Sequence, residues 1–306
     1  EQAIFAIAEL PSHQGFVRFE QISQEVLDNI DKIASTKSPV TGVGSGFVDL
    51  DAFTGGFRPG QFIIIAARPA MGKSSLALNI AAHAAVNLNK KVAVFSMEMA
   101  ADEVVMRMFS SASEVKMDGM LRGYGMNNDK LVRIMQASEV LSAKHIYIDD
   151  SGTNTPLDIR AKTRRLAAEL GSLDLIIIDY LQLMSLAREK DNRQQEISEI
   201  SRALKILAKD MKIPVIALSQ LNRAAENRDN KRPKLADLRE SGAIEQDADV
   251  VMFIYRDEYY FAETTNKPGI AEVIIAKNRH GPTGSVELGF DQEFTLFRPL
   301  DTKYDQ

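Results

Sequence analysis

The sequence contains no cysteine, which excludes disulfides and thiolate-ligated zinc and suits a reducing cytoplasm. It has no tryptophan and only 7% aromatic residues, too few for a row of base-stacking platforms, so any contact with a nucleic-acid single strand would follow its backbone. Long apolar runs are also missing: Phe62 to Ala67 is far too short to span a bilayer, and the acidic start Glu1-Gln2 lacks the basic region of a signal peptide. The expectation is a soluble, cytoplasmic protein that does not engage membranes. Positive charge is not in excess either. A formal net charge of −5 excludes coating of nucleic acid by overall attraction, so any such contact must be local. No initiator methionine precedes Glu1, which leaves room for a further domain upstream.

What is present is a 306-residue chain with 45% hydrophobic content, enough for one large core or two smaller ones. Within Ala3–Leu10, Ile4, Ile7 and Ala8 share a helical face before Pro11-Ser12 interrupts; that face needs a groove in its own domain or on a neighbouring subunit. A second helix is signalled by Ile22, Val26, Ile30 and Ile33, and the polar stretch Ser35 to Pro39 reads as a linker. The expected division is therefore 1–39 (linker helix and connecting segment) and 40–306 (core domain).

In the core, apolar runs at 62–67, 92–95, 145–148, 175–178 and 213–218 alternate with amphipathic segments at 74–88, 129–143, 156–170 and 193–210. This alternation predicts an α/β fold, a mostly parallel sheet flanked by helices. After Asp249 the runs 250–256, 271–278, 284–290 and 294–298 follow one another with short turns and no helix between them, which predicts antiparallel strands extending the sheet edge.

Directly after the first core strand comes Ala67-Arg68-Pro69-Ala70-Met71-Gly72-Lys73-Ser74-Ser75, followed by a helix. Strand, loop and helix in this order make a P-loop, because backbone N–H groups and a helix N-terminus together cradle phosphate. Ala67 stands where the generic motif has its first glycine. The expected phosphate site is Arg68 to Ser75, with Lys73 reaching the β- and γ-phosphates of a nucleoside triphosphate such as ATP and Ser74 binding Mg²⁺. The apolar strand ending in Asp179 has the form of a Walker B element, and Asp179 would hold the metal through water. Asp174 lies at the wrong end of that strand for a site at the carboxyl edge of a parallel sheet. Glu98, after the run 92–95, is the first choice for orienting the attacking water, and Gln220, after 213–218, for sensing the γ-phosphate. On position alone each has a plainer reading: a strand-end cap for Asp179, a surface loop residue for Glu98, a hydrogen-bonded turn residue for Gln220.

Taken in order, several stretches resemble the DnaB family of bacterial replicative helicases: the P-loop segment 67–74, Ser96-Met97-Glu98-Met99, Asp179-Tyr180-Leu181-Gln182-Leu183, Ser219-Gln220-Leu221-Asn222-Arg223, the segment from Asp237 to Asp249, and Lys277-Asn278-Arg279-His280-Gly281-Pro282-Thr283-Gly284. That family often carries Ala-Arg-Pro where the generic loop starts with glycine. The resemblance covers nearly the whole chain and implies a RecA-like motor that forms a homo-hexameric ring with ATP and Mg²⁺ between subunits. It implies that Lys277 and Arg279 reach into the neighbour's site; without it, two cations on an edge strand are more simply a solvated face. It implies that Arg239, Glu240 and Gly242 form the loop that holds single-stranded DNA by its phosphates, where a local salt bridge in a turn is the alternative. Segment 185–195 is a second candidate pore-facing loop. The helix Ala3–Leu10 corresponds to the linker helix that docks on the adjacent motor. The family's N-terminal domain, associated with primase binding, has no counterpart here, so primase contact is in doubt, while helicase-loader and clamp-loader contacts stay open. The function implied is ATP-driven translocation on single-stranded DNA with duplex unwinding. Its rivals are a RecA-like recombinase or branch-migration ATPase, and a nucleotide-switched assembly module.

Overall fold

The structure, a computed structural model, describes residues 16–36, 40–152, 155–186, 192–223, 226 and 228–300. The chain divides into two compact units, Glu1–Thr41 and Gly42–Gln306. In the first, helix α1 (Phe19–Thr36) carries Ile22, Val26 and Ile30 along one exposed face. It runs through Ser35 and Thr36, which the sequence assigned to the linker; nothing in those two residues forbids helix, unlike Pro39. The segment Ala3–Leu10 lies outside the described residues.

The second unit opens with α2 (Val48–Thr54) and is built on β1 (Phe62–Ala67), β2 (Val92–Ser96), β3 (Ile146–Asp149), β4 (Leu175–Asp179), β5 (Val215–Gln220), β6 (Val250–Tyr255), β7 (Ile270–Asn278), β8 (Gly284–Asp291) and β9 (Leu296–Pro299). They form one nine-stranded sheet in the order β3-β2-β4-β5-β1-β6-β7-β8-β9. Pairing is parallel from β3 through β6 and antiparallel from β6 to β9. The helices are α3 (Lys73–Val86), α4 (Ala101–Ser113), α5 (Met117–Arg122), α6 (Asn128–Ser142), α7 (Pro156–Leu170), α8 (Arg193–Met211), α9 (Gly242–Asp247) and α10 (Asp257–Tyr260).

Period-two alternation sends β1 residues to two cores. Ile63 and Ile65 pack with Leu76, Ile80 and Ala84 of α3 on one face, while Phe62 and Ile64 pack with Ile200, Leu204 and Leu207 of α8 on the other. Each fully buried Ile or Leu contributes roughly 1.5–3 kcal/mol, so both layers are needed to hold the central strands. Strands covered on both faces are continuously apolar, which is why the sequence announced them.

Three expectations need correction. The run Val250 to Tyr255 is not an edge strand: it pairs parallel with β1 (Ile63↔Val250) as well as antiparallel with β7, and all six of its residues are buried. A helix, α10, does intervene between β6 and β7. The run beginning at Ile213 enters the sheet only at Val215, because Pro214 has no N–H to give a ladder. Helices α2, α4 and α5 were not anticipated; α4 buries only Val104 and Met108 among its large apolar residues, too narrow a stripe to stand out from the chain around it.

Candidate functional site

The carboxyl ends of β1, β2, β4 and β5 come together because their registers align: Ala67 lies beside Gln220, and Ser96 beside Asp179. A cavity of about 600 Å³ opens over this edge, lined by Lys73, Ser74, Glu98, Arg107, Gln220 and Gln292 among others. In an open parallel sheet this is where ligands bind.

The P-loop turns on two left-handed residues, Ala70 (φ 64°) and Gly72 (φ 94°), before α3 starts at Lys73. No side chain caps α3, so its first-turn N–H groups and the positive end of its dipole are available to an anion. Two features from the antiparallel strands support the loop. A Cβ at Gly72 would stand 2.9 Å from Phe297 and 3.0 Å from Phe290. The buried Arg256, at the end of β6, donates to the Ala70 carbonyl (3.2 Å) and lies over the Phe290 ring. Met71 does not line the cavity: its side chain is buried in the core, so it contributes backbone only. Arg68 lines the cavity, but its guanidinium donates to the Leu221 carbonyl and pairs with Glu226 (both 2.8 Å). Pro69 and Ala70 are exposed at the rim.

Lys73 stands 3.3 Å from Asp179 Oδ1 and 4.2 Å from the centre of the Tyr180 ring. That Asp179 oxygen is buried and accepts no hydrogen bond, even though the ion pair is within reach. Burial of such an oxygen is costly unless a partner satisfies it. The Asp179 carbonyl takes the Met97 N–H at 2.7 Å, which ties the Glu98 loop to the end of β4. Burial, then the charges of Glu98 and Asp179, push the Tyr180 phenol up, so it stays protonated beside Lys73. A hydroxyl from Ser74 and one carboxylate from Asp179 are a fitting set for Mg²⁺, which keeps most of its shell as water and substrate oxygens. Asp174 pairs with Lys90 and accepts the Lys91 N–H at the far end of β4, as expected of a structural residue.

Sequence reasoning missed Gln182. Its amide donates to Ser219 Oγ (2.9 Å) and the Gln220 carbonyl (3.0 Å) and accepts the Gln220 N–H (3.2 Å), locking the end of β5. It also missed Arg107, which faces the cavity from α4 while paired with Glu103 at 2.8 Å, and Arg256. Their signal was in the sequence only as isolated polar residues, because each partner is distant in the chain or, for Arg107, on a helix not foreseen.

Lys277 and Arg279 are not at this edge. Arg279 N–H donates to the Asp249 carbonyl (2.9 Å), and the Asp249 carboxylate accepts the N–H of Phe62, the first residue of β1. The two cations thus lie a strand's length, about 20 Å, from the P-loop of their own chain. Arg239 and Glu240 fall in a 3₁₀ segment, Leu235–Ser241, and Gly242 opens α9; the side chains of 239–242 lie outside the described residues, as do residues 187–191 of the second loop.

A P-loop at the first strand, an acidic strand end two positions over and a sheet finished by antiparallel strands define a RecA-like nucleoside-triphosphatase domain. The chain belongs to the family of DnaB-like helicase C-terminal domains, which matches residues 42–299, and with it to the ATP-dependent replicative DNA helicases. It is 45% identical over 306 residues to the replicative DNA helicase DnaC of Bacillus subtilis (strain 168) and 44% identical over 307 residues to the replicative DNA helicase DnaB of Geobacillus stearothermophilus. In both cases all of this chain and 67% of the relative are covered, so the chain spans about two thirds of their length. Among solved structures, one of an ATPase domain matches with a TM-score of 0.86 at 38% identity, covering 92% of this chain and 99% of that one. A DnaB-like replicative helicase, described with its interactions with primase, matches with a TM-score of 0.87 at 36% identity, covering 98% of this chain and 71% of that one. Among the described residues, no helix is long and apolar enough to cross a membrane.

Proposed function

We propose that this chain is the motor of a DNA helicase ring that hydrolyses ATP between neighbouring subunits and moves along single-stranded DNA, unwinding duplex as it goes. Within one subunit, the α3 N-terminus and Lys73 bind and orient the triphosphate, and Glu98 orients the attacking water. When bound, Mg²⁺ neutralises charge on the phosphate oxygens, held by Ser74 and, through water, by Asp179. Gln220 senses the γ-phosphate and passes its state along the chain: two residues on, the Asn222 N–H donates to the Asp237 carbonyl at the head of the segment that carries Arg239, Glu240 and Gly242. Those residues hold DNA by its phosphates, without reading sequence.

The observation that supports this reading is the separation of two groups of residues. Lys73, Glu98 and Asp179 gather at one sheet edge, and Lys277 and Arg279 stand at the opposite one. An arginine that cannot reach its own nucleotide would stabilise charge in the next subunit's, which calls for head-to-tail assembly, six subunits in a closed ring being our reading. The segment Ala3–Leu10 would fasten each subunit to its neighbour. A helicase loader or clamp loader would dock on this motor domain; primase contact belongs to the solved relative and is not carried over.

The test is ATP turnover with and without single-stranded DNA, for the unmodified chain and Arg279→Ala, with assembly mass measured in parallel. DNA is expected to stimulate turnover, and Arg279→Ala to lower it by roughly 10³-fold or more with the ring intact. Equal turnover in the two proteins would remove the trans assignment.

A further inference from the structure

Lys277 and Arg279 make contacts that a role in the neighbour's site does not require. Lys277 Nζ donates to the carbonyls of Glu245 (2.5 Å) and Gln246 (3.3 Å), and the Arg279 guanidinium donates to the Gln246 carbonyl as well. These are last-turn carbonyls of α9. The N–H that would have continued the helix onto Glu245 belongs to Asp249, and it donates to Phe62 in β1 instead (2.8 Å). Two cations therefore cap a helix end where the Glu245 carbonyl has lost its amide partner and the dipole is negative.

The helix they cap is the continuation of the 3₁₀ segment Leu235–Ser241, so residues 235–247 run from one edge of the sheet to the other. At the P-loop edge the segment is held through Asn222 N–H to the Asp237 carbonyl (3.3 Å) and Arg228 to the Asp237 carboxylate (2.7 Å). At the opposite edge it is held by Lys277 and Arg279, by Ser201 Oγ, which donates to the Asp247 carboxylate (2.9 Å), and by the buried Ile244. Between the two anchors lie Arg239, Glu240 and Gly242.

The second anchor is built to let go. Lys277 is held by neutral carbonyls; burial, and then the adjacent Arg279, lower its pKa. Arg279 reaches Oδ1 of Asp249 only at 3.4 Å, while Lys205 (2.6 Å) and the Phe62 N–H (2.8 Å) hold Oδ2 and keep the carboxylate in place without it. Its backbone stays pinned to the Asp249 carbonyl, just before β6, through its own N–H. A triphosphate presents several charged oxygens, and hydrogen bonds to ionised acceptors are about twice as strong as those to carbonyls.

We infer that Lys277 and Arg279 clamp the DNA-contacting segment of their own chain and release it when the neighbour's site binds a nucleoside triphosphate. Each DNA loop is then set by two nucleotide sites, its own through Gln220 and Asn222 and the neighbour's through the clamp. This rests on the trans role proposed above, and its test separates the two. Amide hydrogen exchange is measured across residues 243–248 in the assembled full chain without DNA, with and without an ATP analogue carrying a β,γ-imido bridge. Protection of amides 70–76 reports that the analogue is bound. Exchange at 243–248 is expected to rise roughly three- to thirtyfold with analogue, the size two cationic caps supply. In the double variant Lys277→Ala, Arg279→Ala it is expected to be fast under both conditions. If bound analogue leaves 243–248 unchanged in the unmodified chain while Arg279→Ala abolishes turnover, the clamp is wrong and the trans role stands. If Arg279→Ala turns over normally, both fall. Should the double variant fail to assemble, the response of the unmodified chain decides alone.

Discussion

Gly72 meets two constraints at once. Its φ of 94° is open to glycine and costs other residues, and the Phe297 and Phe290 rings leave no room behind it for a methyl group. Gly72→Ala is therefore expected to lower stability by about 1–2 kcal/mol from backbone conformation alone. It should weaken nucleotide binding further as the loop shifts; chemical denaturation and a nucleotide titration check the two effects. The first constraint was legible in the sequence, since a glycine before Lys-Ser at a helix start has one common reason. The second was not: residues from the last strands had to be folded underneath before their rings could matter. The same division holds for Asp179, whose place at the end of β4 was readable from an apolar run ending in acid, and for Arg256, a buried cation under the loop that nothing in its neighbourhood distinguishes.

At the scale of elements, the parallel strands were legible because burial on both faces makes them uniformly apolar, and β7 because its burial alternates. Strand β6 was misjudged for want of this same distinction: its run is uniformly apolar, a sign of a central strand, but its place among short-turn neighbours suggested an edge. Long-range ties between elements escaped entirely. Gln182 is the clearest, since it fastens the segment after β4 to the end of β5 through a side-chain amide that satisfies both partners. Gln182→Ala is expected to cost about 1–2 kcal/mol of stability and, by loosening Gln220, to lower kcat roughly fivefold with little change in KM for ATP. A thermal melt and steady-state kinetics separate the two. A melt shift without the kcat loss would make Gln182 structural only.

For the whole molecule, a net charge of −5 means that salt-dependent attraction to DNA has to come from a few placed cations. Arg239→Ala is expected to flatten the dependence of log K on log salt by about 0.7 for each single-strand phosphate no longer neutralised, leaving turnover without DNA unchanged. Fluorescence anisotropy over a salt series reads this directly, and an unaltered slope would take Arg239 out of the DNA site. The placement of Lys73 and Arg279 at opposite sheet edges has an arithmetic consequence. On the trans reading proposed above, an open row of subunits joined head to tail would leave one chain with an unserved nucleotide pocket and another with idle cations. If Arg279 serves the neighbour's nucleotide, only closure removes both loose ends together: the last joint formed would add a working site without adding a subunit, and a gap opened to admit a DNA strand would silence the very site it divides.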